Sequence, residues 1–592
     1  MPLVKFPIRG GIIADISEYS AGPAWHDANK VRFQQSQPEP IGGYEAESDY
    51  NVLGQPSSAI AWRDFSNNDL MAIGTEKRLN LIKNGTVHDI TPVHTTSTNV
   101  ASPPFSVTNE SATVTVTDGS YNPSVGDYLV ISSAAAVGGI TPDGTYEVKT
   151  VPSGATYTIT HSSNATSTTT GGGASTDIEY LVPTGSSVPT AGLGWGADTW
   201  GASTWGTART ESNFTVEPVI WSFDLWGEDL IACRRGGKIY EWDASGGVGT
   251  RATAVANSPT TNLFAMVSVP DRHLISFGAH DGANSDRLNI RWTDQEDRTT
   301  WTASAVNTAG SQRVQYGERI IAAKQTKEQI LVWTDDALFA QVFSGPPFTF
   351  TFRPLSTGSS PIGQHSVAEQ NSLAFWMGAG NFYVFTGREE TLPSPVRDKV
   401  FNDFNTSIQF LVYAGINRKF NEIWWFYPSS AATTANDKYV AYNWVTKEWF
   451  YGSLNRSTWL DTDAWLTSPA AYDEDGVFYF HEKGKNANGS ALNWSIESGA
   501  IEIPEAGEEL FFIDKFIPDI SQQTGDVTLT LYYSQYPNAA EANKTATISS
   551  STLKVNKRVR GRQLRIKYSS SEVESFAKLG ILRGNYQPDG LR

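Results

Sequence analysis

Residues able to do acid–base or ligand chemistry are few and scattered in this chain. Three of its eight histidines, His26, His88 and His273, stand beside or near an acidic residue. Such neighbours are a common accident of sequence, so a structural role is the first reading. Close carboxylates occur at Asp335 with Asp336 and at Asp294 with Glu296. A glycosidase needs two carboxyl groups at a defined separation across a cleft; turns of any acidic β protein supply such pairs. The stretch Asp473-Glu474-Asp475-Gly476 lacks the alternating oxygen ligands and closing glutamate of a calcium loop. It reads as a hairpin turn. No phosphate-cradling glycine loop, dinucleotide fingerprint, zinc pair or nucleophile elbow is present. The expectation is a chain with no catalytic centre, no metal site and no cofactor.

The elements around these residues read as β-sheet. The 592 residues carry 12% aromatic and only 18% charged side chains, a balance that suits pleated surfaces. The net charge of −17 argues against wrapping nucleic acid, which takes Lys and Arg on phosphates. It is compatible with a wall past which DNA slides. Cys233 is the single cysteine, so no intrachain disulfide framework is expected, in keeping with assembly in a reducing cytoplasm. Neither a signal peptide nor an apolar run long enough for a membrane span is recognisable.

Turn signals flanked by aromatic, apolar runs recur, as in "DLWGEDLIAC", "AEQNSLAFW" and "NRKFNEIWWFY". From Glu228 onward they fall roughly 43 to 57 residues apart, near the blade period of β-propellers. The pattern predicts an all-β fold: a β-propeller of about six or seven blades, with a set of β-sandwiches as the rival. Asn68 and Glu228 are too far apart for one blade, and the gap holds short alternating strands such as "SATVTVTDGS" and "GATYTITHSS". The expected organisation is an N-terminal arm and first blade over 1–100 and an inserted small β domain over 101–183. The remaining blades follow over 184–515, and a C-terminal β-sandwich-like module over 516–592. Between insert and blades lies "GWGADTWGASTWG", whose Trp195, Trp200 and Trp205 fit neither a helical nor a strand period. They pack locally over glycine turns or anchor a subunit interface, where Trp is enriched. The basic run holding Arg558, Arg560, Arg562 and Arg565 is either a solvated strand face or a docking surface for an acidic neighbour.

The N-terminal stretch "GGIIADISEYSAGPAWHDANKVRFQQSQPEPIGGYE" is the most specific. Through Gly11, Glu18, Tyr19, Ser20, Trp25, Asp27, Lys30, Val31, Arg32, Phe33, Pro38, Glu39, Ile41, Gly42 and Gly43 it resembles the opening of the tail nozzle family of short-tailed bacteriophages, also called tail tubular protein B. Tyr44 replaces the usual Trp. Looser similarity continues through "RWTDQEDRTTW" to "RGRQLRIK". The resemblance implies a non-enzymatic virion tail protein, assembled in the host cytoplasm as a homohexamer. It would meet an adaptor ring, tail fibres and the host outer surface, and let double-stranded DNA pass during ejection. The alternative is a receptor- or glycan-binding tail protein. By alternation, Lys30 and Arg32 share one strand face and Val31 and Phe33 the other. The arm therefore adds a strand to the last blade or pairs with a neighbouring subunit, with Lys30 and Arg32 as candidate interface residues. Asp335 and Asp336 are candidate channel-facing residues, and the basic strand is expected to face away from the bore.

Overall fold

The computed structural model describes residues 3–191, 215–216, 218–280, 286–462, 465–503, 509–537 and 539–590. Trp195, Trp200 and Trp205 lie outside the described residues. The described chain is all-β, with two short α-helices at Glu18–Ala21 and Arg397–Phe401. It divides into two compact units: residues 52–313, and residues 1–51 together with 314–592.

The 52–313 unit contains three four-stranded antiparallel meanders of propeller-blade type. They begin at Pro56–Arg63, Trp221–Trp226 and Phe264–Val267, and each is ordered as the chain runs. Local chemistry sets their hairpins. Asn84 and Gly85 both take positive φ between Leu79–Lys83 and Thr86–Asp89, the two-residue turn whose twist matches paired strands. Successive meanders meet through their first strands. Buried Trp221 donates its indole N–H to the Thr75 carbonyl of the preceding meander at 3.0 Å, so the large side chain fills the seam and its one polar atom is satisfied.

Between the first two meanders lies the insert, two packed sheets with a core of their own. Tyr157 and Tyr180, from opposite sheets, share a hydroxyl hydrogen bond of 2.8 Å, and Tyr180 also donates to Asp118. The insert's first strand, Val93–Ser97, pairs with its last, Asp177–Leu181, so the sheets extend upstream of residue 101. The Val182 amide donates to the Pro92 carbonyl at 2.9 Å, which brings the two ends of the insert together.

The second unit holds three more meanders, beginning at Ile320–Gln325, Val367–Gln370 and Tyr413–Asn417. A further sheet follows. In it the N-terminal strand Tyr44–Ala46 lies between Phe478–His481 and Asn486–Ala487. The C-terminal module also depends on the N-terminus. Leu3–Phe6 pairs with Leu582–Pro588, and Ala24–Asn29 pairs with Trp494–Ser498, which continues into Gln563–Ser570. Phe6, Ile513, Phe516, Leu529 and Ile566 share one buried core. This module is therefore built from both ends of the chain, and it takes strands from before residue 516.

Candidate functional site: the N-terminal clasp and the basic strand

The residues that carry the N-terminal resemblance form a clasp. Val31–Gln34 and Gln37–Pro40 make a tight hairpin, with Gln35 and Ser36 at positive φ. Val31 and Phe33 enter the core beside Ile41. Arg32 points to the other face and is also buried, at 1% exposure. Its guanidinium lies between two carboxylates, 3.0 Å from Glu422 Oε2 and 2.6 and 2.8 Å from the two oxygens of Glu482. The Phe420 ring lies 3.8 Å from the guanidinium carbon. Asn417 donates to Glu482, and the Trp424 indole to Glu422. Glu39, opposite Arg32 in the hairpin, lies 3.7 Å from Lys578. Glycine is required where the clasp meets the body. A Cβ on Gly42 would stand 2.7 Å from Glu482 Cα, and one on Gly43 would stand 2.6 Å from backbone atoms of Lys483 and Asn486.

Burial and charge oppose one another here. Burial would lower the Arg32 pKa, but Glu422 and Glu482 more than offset it and raise it. Burial pushes the Glu422 carboxyl up to about 7, with Arg32 only partly opposing it. Burial also raises Glu39. Next to this triad Arg456, 3% exposed, donates from Nε to His481 Nε2 at 2.8 Å. Its guanidinium covers the Tyr44 and Tyr479 rings at 4.7 and 4.2 Å. Burial, with Arg456 and Arg32 nearby, holds His481 well below the usual imidazole range. It therefore accepts as a neutral ring. Burial brings Arg456 down to about 10. Glu422 has the raised pKa of a general acid, but it is 0% exposed. Its carboxylate contacts are Arg32 and the Trp424 indole, and the arrangement holds the N-terminus.

The interface expectation for Lys30 and Arg32 is corrected by this placement. Arg32 is sealed by carboxylates of its own chain, and half-buried Lys30 gives its ammonium to the Leu492 carbonyl at 3.1 Å. The alternation holds for Val31, Arg32 and Phe33, but both faces of this strand are buried, and Lys30, at φ 56°, stands before the strand rather than on the face of Arg32. Of the basic run, Arg565 is held by Glu18, Glu497 and Glu541 at 2.9, 2.5 and 2.6 Å. Arg560 pairs with Asp589, Arg562 lies 5.2 Å from the Tyr536 ring centroid, and Arg558 is exposed. Asp335 is exposed, but its carboxylate accepts the Glu318 amide at 2.7 Å and so fixes a turn; Asp336 is exposed beside it.

The remaining candidates have local partners. His26 Nδ1 meets the Ile13 carbonyl at 2.8 Å. Asp294 accepts from the Thr308 hydroxyl and amide, Glu296 pairs with Arg272, and Asp473 accepts the Asp475 and Val477 amides of its hairpin. Among the described residues no group of three or more His, Cys, Asp or Glu is placed to hold a metal ion. Sequence reasoning missed Glu422, Glu482, Arg456 and His481. One signal was available: Glu422 opens the buried aromatic run "EIWWFY", and a lone carboxylate in such a strand needs a buried cation.

No family model matches the sequence, and no curated protein matches it. Among solved structures, Citrobacter koseri AztD aligns at 8% identity over 67% of this chain and 89% of its own, with a TM-score of 0.29. Kluyvelomyces marxianus Hsv2 aligns at 10% identity over 46% and 75%, with a TM-score of 0.27. The phage phi92 endosialidase aligns at 11% identity over 71% and 70%, with a TM-score of 0.17. Scores this low transfer no activity from these proteins. By its own strand pairing the chain is an all-β protein of propeller-type blades with an inserted β domain and a β-sandwich-like module.

Proposed function

We propose that this chain is a structural virion protein, one of six copies forming the distal nozzle of a short phage tail, through which double-stranded DNA leaves. The observation that carries the reading is the N-terminal residue pattern, and the clasp gives that pattern a mechanical purpose. Lys30, Arg32, Glu39, Gly42 and Gly43 fasten the N-terminus into the protein body. A conduit under the pressure of moving DNA needs termini that do not peel away. The acidity of the chain, −17 per copy, suits a wall that must not hold phosphates. Exposed Asp335 and Asp336 are the candidates for such a wall. An adaptor ring and tail fibres are the partners on this reading. Negative-stain microscopy of the purified chain tests it: six-fold rings with a central bore support the nozzle, and a monomer or trimer at assembly concentrations overturns it.

A second reading, a glycan-binding tail protein, is favoured by one observation. On the insert, Thr150, Thr158, Thr115, Ser106 and Thr170 are in register across five adjacent strands and all reach solvent. This uncharged row of hydroxyls suits a polyhydroxylated partner. Glycan-array binding by the full chain, lost on replacing these threonines with lysine, supports that reading.

A further inference from the structure

The fourth meander differs from the others in its outer hairpin. Its third and fourth strands, Ala337–Gly345 and Thr349–Thr357, have nine residues each. In the other five meanders the corresponding strands have two to six. At ~3.3 Å per residue the surplus carries the hairpin tip roughly 10 Å further along the strand direction. No charged residue occurs between Asp336 and Arg353. The tip, Gly345-Pro346-Pro347-Phe348, is open to solvent, with Phe348 73% exposed. Below it Phe343 and Phe350 are opposite each other in register and meet edge-to-face at 5.8 Å, which stiffens the hairpin. Arg353 is exposed on the final strand, five residues from Phe348. Asp335 and Asp336 form the turn that joins Ile330–Thr334 to Ala337–Gly345, at the end of the latter strand opposite the tip.

We propose that this tip is a lipid-binding element, with Phe348 and the two prolines entering the interfacial zone of a bilayer and Arg353 meeting headgroup phosphate. Lipid fits better than a protein partner for three reasons. A stable protein interface takes ~800 Å² from each side, more than a two-strand tip offers. A bilayer, in contrast, accepts a small apolar tip at the headgroup boundary. Unpaired backbone N–H groups are costly where the tip meets the acyl chains below that boundary, and Pro346 and Pro347 bring no N–H donor to the point of entry. The step from an uncharged aromatic tip to a cation also follows the order of a membrane interface. The inference rests on this hairpin alone and stands or falls separately from the nozzle reading.

The test is flotation of the full-length chain with extruded phosphatidylethanolamine–phosphatidylglycerol vesicles in a 3:1 ratio. The wild-type chain is expected to float with them. Phe348→Ser should reduce the bound fraction about tenfold, as expected for one exposed Phe that no longer leaves water. Arg353→Ala should weaken binding less and reduce its salt sensitivity. Phe65→Ser removes another exposed aromatic, 85% exposed, and should leave binding unchanged. Circular dichroism and melting should be the same for all variants. Absence of flotation, equal losses in Phe65→Ser and Phe348→Ser, or a Phe348→Ser effect on oligomer size alone would overturn the proposal, the last pointing to a protein partner.

Discussion

Arg32 faces two carboxylates with a single charge, and that imbalance explains the behaviour of the site. A buried cation between acids contributes little net stability, but its removal leaves carboxylates unpaired in the core, which costs about 3–5 kcal/mol. Arg32→Met should therefore lose roughly that much in urea denaturation. Adding Glu422→Gln and Glu482→Gln should recover most of it. The imbalance also predicts a pH dependence. Folding raises the Glu422 pKa to about 7, above its unfolded value of about 4.3. The folded state thus holds a proton that the unfolded state has lost, and this stabilisation is present at low pH and fades as pH rises toward 7. Protonated Glu422 leaves Arg32 matched one-to-one with Glu482. Glu422→Gln cannot take up that proton, so wild type should gain on it by roughly 1–3 kcal/mol between pH 8 and pH 5. Depressed His481 acts in the opposite sense, losing stability as pH falls below about 6.5. Depressed His481 and raised Glu39 are present in both proteins, so the difference between wild type and the Gln variant isolates the Glu422 slope. A pH-independent difference between the two proteins would contradict this account.

Among the elements, the insert behaves as a separate body. It has a two-sheet core, a buried Asp118–Tyr180–Tyr157 network between its sheets, and ends joined by a 2.9 Å backbone hydrogen bond. A long insertion between points already close costs the host little chain entropy. Replacing residues 93–181 with a short Gly-Ser bridge should leave the rest folded, with its melting temperature within a few degrees of the parent. The excised domain, expressed alone, should melt cooperatively. An insoluble remainder would mean that the insert supports the neighbouring meanders. The basic strand shows the complementary case. Ile566 and Tyr568 face inward while Arg565 and Lys567 face out, and both cations find carboxylates of the same chain. Exposed Arg558 is then the residue of this run best placed to meet a partner.

For the whole molecule the open matter is assembly. The Trp195, Trp200 and Trp205 stretch follows the insert in sequence and lies outside the described residues. Three indoles at a subunit interface would each contribute a few kcal/mol on burial, and a ring repeats that contribution at every contact. Replacing all three with Ser should therefore lower the fraction of rings in sedimentation or negative stain while subunit melting stays unchanged. Earlier melting with intact rings would instead assign the tryptophans to local packing.

The sequence by itself determined what depends on near neighbours. Alternating aromatic strands and the spacing of turns gave blade-type meanders, because hairpin geometry is set within a few residues, as the positive φ of Asn84 and Gly85 illustrates. The insert was recognisable for the same reason, although its first strand, Val93–Ser97, pairs with Asp177–Leu181 and could not be assigned from local pattern. The tertiary structure alone decided where the N-terminus goes and what its charges do. Arg32 reads as a surface cation on an alternating strand, but its partners lie 390 and 450 residues away. Likewise Arg456 finds Tyr44 only because the N-terminal strand enters the sheet of residues 470–491. A charge whose counter-ion is that distant in sequence leaves no local periodic signal. Whether it is exposed or buried is fixed by packing, and packing exists only once the two ends of the chain have met.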